Sequence, residues 1–266
     1  MTRAILRHIL LVVVGVTMLM PAEVIAQETD SVQLSSKRNR WWPEYSDHTT
    51  EFRATQLIAP GTLLLVGALG IGENAPLRKV NLAVQSGMQK ISHGKRYSFD
   101  DYLQYAPVAT YLTLCATPLK AKHTPGERIA VAAVTYMSMA ALTNTLKYTI
   151  CELRPDSSKR NSFPSGHTAT AFAGAEIVRS EYGAGIGAAA YLMASTVAFM
   201  RMYNNRHWLN DVLGGAAIGI LSARIGYWLL PLSRKIFKMK WQQSVIATPT
   251  YFPEQQAIGL SCAMCF

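Results

Sequence analysis

Six apolar segments between residues 56 and 230 constrain the fold of this chain most strongly. An α-helix of about 20 residues spans roughly 30 Å of hydrocarbon, and most of the six are near that length, although several are marginal. Small residues recur in them and permit close helix packing inside a membrane. The predicted fold class is therefore all-α, a transmembrane helical bundle of about six helices. The segments are residues 56–72, 102–119, 128–149, 165–179, 183–200 and 211–230.

Composition and charge limit the partners. Half of the residues are apolar and only 16% are charged, below the soluble average of about 25%. The net charge of +10 suits nucleic acid, an anionic membrane surface or a phosphate-bearing substrate. No nucleic-acid-binding motif is present, so we expect no nucleic-acid partner. Many basic residues flank apolar segments, which favours the bilayer. No obligatory protein partner is inferred.

The two ends differ from the bundle, which we assign to residues 54–232. Residues 1–26 resemble a secretory signal sequence, with a basic start, a short apolar stretch and small residues before a cleavage site at Gln27. An uncleaved anchor is the alternative. Residues 27–53 form a polar juxtamembrane segment with a basic-aromatic cluster, which suits a membrane interface or a solvated linker. Residues 233–266 form a basic, β-like tail, and its basic residues predict a cytoplasmic C-terminal side.

Three short segments between residues 147 and 211 carry residue types that suit chemistry on phosphate, and the first contributes cations. Lys147 and Arg154 are seven residues apart, about two helical turns, so both can face the same way from one helix end. Pro155 then stops that helix. Two cations placed in this way repel each other, and together they favour binding of an oxyanion.

The second segment is a Pro-Ser-Gly turn that opens the fourth predicted helix. A helix start presents free N–H groups and a positive dipole end, which together make an anion site. Ser165 adds a hydroxyl, Gly166 lets the backbone approach closely, and His167 adds a proton donor. The segment therefore predicts a phosphate cradle with an acid beside it.

The third segment adds a second histidine with a carboxylate. His207 and Asp211 are four residues apart, one helical turn, and a carboxylate at that distance can fix the imidazole tautomer and raise its basicity. The planar guanidinium of Arg201 can donate two hydrogen bonds at once to phosphate oxygens.

Each segment alone has an ordinary explanation: a solvated helix end, a capped turn, and a structural hydrogen bond or half of a metal site. All three in order, between membrane-like helices, favour covalent phosphoryl transfer. In such a reaction one histidine attacks phosphorus, the other protonates the leaving oxygen, and the cations stabilise the equatorial oxygens.

The three segments resemble the tripartite motif of the type-2 phosphatidate phosphatase and vanadium haloperoxidase superfamily. The motif match covers residues 147–211, and the helix layout extends it to about 54–231. The resemblance implies a bundle with one polar pocket at the outer membrane face, and no metal or cofactor in the phosphatase branch. It implies that His207 is the nucleophile, that Asp211 orients it and that His167 is the general acid. It also implies a phosphate-binding set of Lys147, Arg154, Ser165, Gly166 and Arg201.

Two positions depart from the pattern. The family's serine before the third-motif arginine is Met200 here, which removes one hydroxyl contact to phosphate. Arg206, before the nucleophile, stands where a small residue is common in relatives. It is either a fourth cation for a second substrate phosphate or a side chain that faces water, and we favour the latter.

Membrane topology carries an internal conflict. The pocket is expected on the outer side and the C-terminus inside. If all six segments cross the bilayer, residues 27–53 then lie inside. A signal sequence, however, places them outside. We prefer the solution in which segment 56–72, interrupted by Pro60 and glycines, does not cross fully. The alternative is that the first apolar stretch is not a translocating signal.

The expected function is removal of phosphate from a membrane lipid at the periplasmic face of a bacterial inner membrane. The chain resembles envelope phosphatases of Bacteroidetes-like bacteria, which favours lipid A or undecaprenyl pyrophosphate over phosphatidylglycerol phosphate or phosphatidate. The alternatives are a secreted soluble acid phosphatase of the same superfamily, a vanadium haloperoxidase and a non-catalytic membrane protein. The absence of charge from residues 183–200 counts against the first. Haloperoxidases are usually larger and soluble, and a non-catalytic protein would not need both histidines.

Overall fold

The computed structural model describes residues 49–114, 117, 119, 121–237, 245–252 and 257–264. The predicted signal sequence, residues 27–48 of the polar segment and basic residues Lys238 and Lys240 lie outside those ranges. From residue 54 to residue 237 the described chain is helices joined by loops, and an antiparallel hairpin follows.

Nine α-helices occur among the described residues, preceded by a 3-10 turn at Ala54–Leu57. They confirm the all-α bundle. The helices are α1 (Ile58–Ala68), α2 (Arg78–Ser92), α3 (Asp100–Leu103), α4 (Ala106–Leu114), α5 (Pro125–Ile150), α6 (Gly166–Tyr182), α7 (Ala184–Tyr203), α8 (Leu209–Trp228) and α9 (Leu230–Phe237). The strands are β1 (Val245–Phe252) and β2 (Ala257–Met264).

Helix α6 is the central helix of the bundle. Nearly all of its side chains are buried, and it packs against α4, α5, α7 and α8. Because the helix is enclosed on several sides, its first turn is held rigidly at one end of the bundle. The core around it contains Phe172, Ile177, Tyr191, Val197 and Leu213.

Helix α8 approaches α6 so closely that two positions require glycine. A Cβ added at Gly219 would lie 2.5 Å from the carbonyl oxygen of Ala169 and 2.7 Å from the backbone nitrogen of Ala173. One added at Gly215 would lie 2.5 Å from the carbonyl oxygen of Ser165. The small residues of α8 therefore set the distance between this helix and the start of α6, as expected for helices packed in a membrane.

Gly215→Ala is expected to destabilise the protein by about 1–3 kcal/mol, as for other overpacked sites, because the added methyl group meets backbone that cannot rotate away. Gly185→Ala is the matched control, since a Cβ there meets nothing within 4 Å. Thermal unfolding in detergent measures both. Equal midpoints for the two variants would contradict the close α6–α8 contact.

In the part of the chain that the structure describes, two helices, α5 and α7, are long and apolar enough to cross a membrane. The pair α8 and α9, bent by 47°, makes a third if it is one span. Helix α5 carries large apolar side chains on its surface, and Met137 is 72% exposed. On α7, Leu192 is 66% exposed. Outward-facing apolar side chains of this kind suit contact with lipid.

The remaining predicted segments correspond to shorter helices. The segment 56–72 forms helix only as the 3-10 turn and the 11 residues of α1. The segment 102–119 is divided between α3 and α4. Pro107 explains that division, because proline lacks an N–H and its ring clashes with the carbonyl oxygen four residues earlier. The short α1 fits the expectation that segment 56–72 does not cross the membrane fully.

The 15-residue helix α2 was not among the predicted segments. It has lysines and glutamines between its apolar residues, so a search for long apolar stretches does not detect it. It packs against α7 and α8 near the end of the bundle where α6 begins. Asn81 of α2 is buried there against Asn210 of α8.

Charged side chains farther along α6 are paired. The Glu176 carboxylate contacts Arg179 and Arg224, each at 2.7 Å, and accepts a hydrogen bond from the Tyr191 hydroxyl at 2.6 Å. Pairing of this kind offsets the high cost of a charge in a bilayer. Glu176 is nine residues, roughly 14 Å, along α6 from His167 at 1.5 Å per residue. This network is therefore separate from the end of the bundle where the motifs lie.

Candidate active site

The structure brings the three sequence segments together at one end of the bundle. The starts of α6 and α8 meet there, since the backbone N–H of Ser165 donates to the carbonyl oxygen of Asp211 at 2.9 Å. The last turns of α5 and α7 end at the same place. Around the His207 ring the three segments place four positively charged or titratable side chains within electrostatic reach, Lys147, Arg154, His167 and Arg201.

His207 lies in the loop between α7 and α8, and its ring is almost fully buried. Its Nδ1 faces Asp211 Oδ2 at 3.4 Å. The same carboxylate oxygen accepts hydrogen bonds from the Ser162 hydroxyl and from the backbone N–H of Trp208 at 2.7 Å. Burial, followed by the charges of Arg201 and Lys147, holds the pKa of His207 well below its usual range. The imidazole is therefore neutral at neutral pH, the form in which it is a nucleophile.

The two cations of the first segment are held by Asn161. Lys147 Nζ donates to the carbonyl oxygen of Asn161 at 2.7 Å, and Arg154 Nε donates to its side-chain Oδ1 at 3.0 Å. Burial, followed by the charge of Arg201, lowers the pKa of Arg154. Three mutually repelling cations are thus held together, and an anion bound among them would relieve that repulsion.

Ser165 and Gly166 take different positions in the helix start. Ser165 is fully buried and is the N-cap of α6, where its Oγ accepts from Thr168 Oγ1 at 3.0 Å. Its backbone N–H is already bonded to Asp211. Gly166 and His167 are only half-buried. The groups of the second motif that an anion can reach are therefore Gly166 and His167, and the Ser165 hydroxyl stabilises the helix start.

Two acidic residues that the motifs do not contain complete the site. Asp100 is buried, and its Oδ2 accepts a hydrogen bond from Arg201 Nη1 at 2.8 Å. Asp101 is more exposed, and its Oδ1 lies 3.0 Å from Arg201 Nη1 and 2.9 Å from His167 Nε2. A carboxylate beside an imidazole favours its protonated form, but burial, followed by the charge of Arg201, outweighs Asp101 here and lowers the pKa of His167. The sequence contained one signal for these residues, an Asp-Asp pair at the start of the predicted second helix.

The two departures from the motif lie outside the cation cluster. Met200 is a buried residue of α7. The Arg206 side chain is 40% exposed and pairs with Asp156 at 3.2 Å. Among the described residues, no group of three or more His, Cys, Asp and Glu side chains is placed to hold a metal ion.

Comparison with known proteins agrees with this geometry. Residues 128–235 match the model of the family described as PAP2 superfamily, and this range contains every motif residue. This part of the chain is thus similar to the PAP2 superfamily. Helices α5 and α7, which are long and apolar enough to cross a membrane, flank or carry these motif residues.

One curated relative and two solved structures are similar to this chain. A lipid A 1-phosphatase from Porphyromonas gingivalis is 39% identical over 137 residues, which is 50% of this chain and 31% of that relative's length. The structure of Aquifex aeolicus LpxE has a TM-score of 0.42 at 23% identity, over 52% of this chain and 91% of that one. A PAP2-type phosphatidylglycerolphosphate phosphatase from Bacillus subtilis has a TM-score of 0.43 at 23% identity, over 68% and 98%.

Proposed function

We propose that this protein removes a phosphate group from a membrane lipid phosphate through a phosphohistidine on His207. The observation that carries the proposal is the meeting of a neutral, carboxylate-paired histidine with Lys147, Arg154 and Arg201 at the start of α6. The relative that is a lipid A 1-phosphatase supports lipid A as the substrate. Undecaprenyl pyrophosphate stays a candidate, and phosphatidylglycerol phosphate and phosphatidate are less favoured.

In the first step Nε2 of His207 attacks phosphorus, a P–N bond forms and the P–O bond to the lipid breaks. Asp211 accepts a hydrogen bond from Nδ1–H of His207 and stabilises the positive charge that develops on the ring, while the proton stays on Nδ1. The three cations and the N–H groups at the start of α6 hold the equatorial oxygens, where negative charge is spread.

Proton transfer is assigned to His167. In the first step it gives its proton to the departing lipid oxygen, and in the second it takes a proton from the water that attacks the phosphohistidine. Asp101, 2.9 Å from His167 Nε2, stabilises the protonated ring. The water supplies the oxygen of inorganic phosphate, the P–N bond breaks, and both histidines return to their starting states.

The proposed location is a bacterial inner membrane with the site at the periplasmic face. Arg234 and Lys235 of α9 follow the end of α8, and positive charge there marks a cytoplasmic side. His207 and Asp211 lie at the opposite end of α8. If α8 crosses the bilayer, the site therefore opens to the other side.

A substrate panel tests the proposal. We expect detergent-solubilised protein, with EDTA present, to release phosphate from lipid A or undecaprenyl pyrophosphate faster than from phosphatidylglycerol phosphate or phosphatidate. Cleavage of soluble phosphomonoesters alone would indicate the acid phosphatase alternative instead. Activity that EDTA abolishes would contradict the metal-independent mechanism.

The pH profile tests the state of His207. Since its pKa is lowered and the neutral ring is the nucleophile, activity should persist at pH values below the usual histidine pKa of about 6.5. Replacing Lys147 by methionine removes one cause of that shift, so the acid limb should move to higher pH. Measuring kcat/KM against pH for both proteins on one substrate cancels the ionisation of the substrate. An unchanged acid limb would contradict this account of the electrostatics.

A further inference from the structure

Behind the nucleophile lies a second acidic side chain, Glu152, that the family motif does not specify. It follows α5 in the loop between Lys147 and Arg154, and it is buried. Its backbone carbonyl accepts a hydrogen bond from the N–H of Ser162 at 2.9 Å. The Ser162 hydroxyl in turn donates to Asp211. The backbone at Glu152 is therefore fixed relative to the carboxylate that orients His207.

One oxygen of Glu152 has a partner whose orientation is settled. Asn210 Nδ2 donates to Glu152 Oε2 at 3.0 Å. The Asn210 amide cannot be turned around, because its Oδ1 accepts from Asn81 Nδ2 at 3.0 Å. Asn81 is oriented in its turn by the hydrogen bond from its Nδ2 to the Gly70 carbonyl at 3.1 Å. Glu152 Oε2 is thus an acceptor and carries no proton.

The other oxygen of Glu152 has no such partner. Glu152 Oε1 and Asp211 Oδ1 are both buried and have no donor among the described residues. The two carboxyl groups lie within hydrogen-bonding reach of each other. Two ionised carboxylates in contact and shielded from water repel strongly, whereas one proton between them gives both orphaned oxygens a partner.

We propose that Glu152 is a positioning residue for the phosphatase reaction, protonated on Oε1 and donating to Asp211 Oδ1. That hydrogen bond fixes the rotation of the Asp211 carboxylate, so that Oδ2 stays directed at Nδ1 of His207. It also keeps a single negative charge behind the nucleophile. The inference rests on the proposed function, since it assigns Glu152 a role in the same site.

Electrostatics support the placement of the proton. Burial, followed by the charge of Asp211, raises the pKa of Glu152 to about 8. The cations that act on the pair are Arg78, which acts on Glu152 from α2, and Lys147 and Arg154, which act on Asp211, and the His207 ring faces Asp211 at 3.4 Å. The charges of these cations favour the ionised carboxylates, but at Glu152 burial and the charge of Asp211 outweigh them. Since the protonated form is the functional one, the contribution of Glu152 is present below about pH 8 and is lost as the pH rises through that value.

Glu152→Gln and Glu152→Ala in the full chain form the test. Glutamine reproduces the protonated side chain, because its Oε1 can accept from Asn210 while its Nε2 donates to Asp211 Oδ1. At pH 7 we expect Glu152→Gln to retain kcat within about threefold, and Glu152→Ala to lose about 10–100-fold, as for other residues that orient a reacting group. KM should change little in either variant. The alkaline limb near pH 8 should be absent from Glu152→Gln.

The proposal is overturned if glutamine is as damaging as alanine, if alanine has no effect, or if the alkaline limb is unchanged in Glu152→Gln. Infrared spectroscopy without substrate gives an independent measurement. The wild-type protein should show a protonated carboxyl band at pH 7 that disappears at higher pH and is absent from Glu152→Gln. If no lipid is hydrolysed although this band is present, the proposed function fails and the protonated pair stands. If phosphate is released and the band is missing, the role of Glu152 fails.

Discussion

Replacing His207 by alanine is expected to lower kcat/KM for phosphate release by about 10³-fold or more, because the substitution removes the atom that receives the phosphoryl group. The neighbouring cations would still bind the lipid phosphate, so KM should change far less than kcat. Initial rates on the best lipid of the panel measure both constants. The folded state of the variant is checked by its thermal unfolding midpoint in the same detergent.

A matched histidine control comes from the surface. His93 is exposed at the C-terminal end of α2 and adopts a left-handed conformation with φ of 49°. Asparagine tolerates that conformation, so His93→Asn should leave the rate unchanged. A His207→Ala variant that keeps more than a tenth of the wild-type rate would exclude His207 as the nucleophile.

Replacing Arg201 by lysine is expected to cost about 10²-fold in kcat. Lysine keeps the charge beside Asp100 but loses the planar fork that can hold two phosphate oxygens at once. Arg201 Nε is buried and has no partner among the described residues, so it is free to donate to a bound anion. Steady-state rates of the purified variant measure the loss.

Arg206→Lys is the control for that substitution, and we expect a change of less than about threefold at an exposed ion pair. Arg206 pairs with Asp156 and is well exposed, whereas Arg201 is buried. Equal losses at the two arginines would mean that general positive charge governs the rate. A loss of rate in the Arg206 variant alone would mean that the substrate phosphate binds away from Arg201.

The motif residues were predictable from the sequence because local geometry dictates much of their arrangement. Four residues separate His207 from Asp211 at the start of α8, and the serine of a Pro-Ser-Gly turn is a favoured N-cap. The prediction that Pro155 ends the helix that carries Lys147 was wrong, because that helix ends at Ile150 with Cys151 in a left-handed conformation, and Arg154 lies in the loop that follows. Sequence spacing also predicted that α6 starts at the site. It did not predict that the Ser165 hydroxyl is turned into the helix start and fully buried.

The residues that the sequence did not reveal reach the site through long-range packing. Asp101 contacts His167 across 66 positions of sequence, and Asn81 contacts Asn210 across 129. Helix α2 lacks a long apolar stretch, and Glu152 occupies a position that the motif leaves unspecified. No local pattern marks such residues, since their roles depend on which helices become neighbours.

The stereochemistry of phosphoryl transfer tests the central claim most directly. Each in-line displacement at phosphorus inverts its configuration, so transfer by way of His207 involves two inversions. The substrate would be a lipid whose phosphoryl group is chiral through oxygen isotopes, and an added alcohol would accept that group from the enzyme. The account predicts net retention of configuration at phosphorus. Net inversion would show a single direct displacement and would contradict a phosphohistidine intermediate.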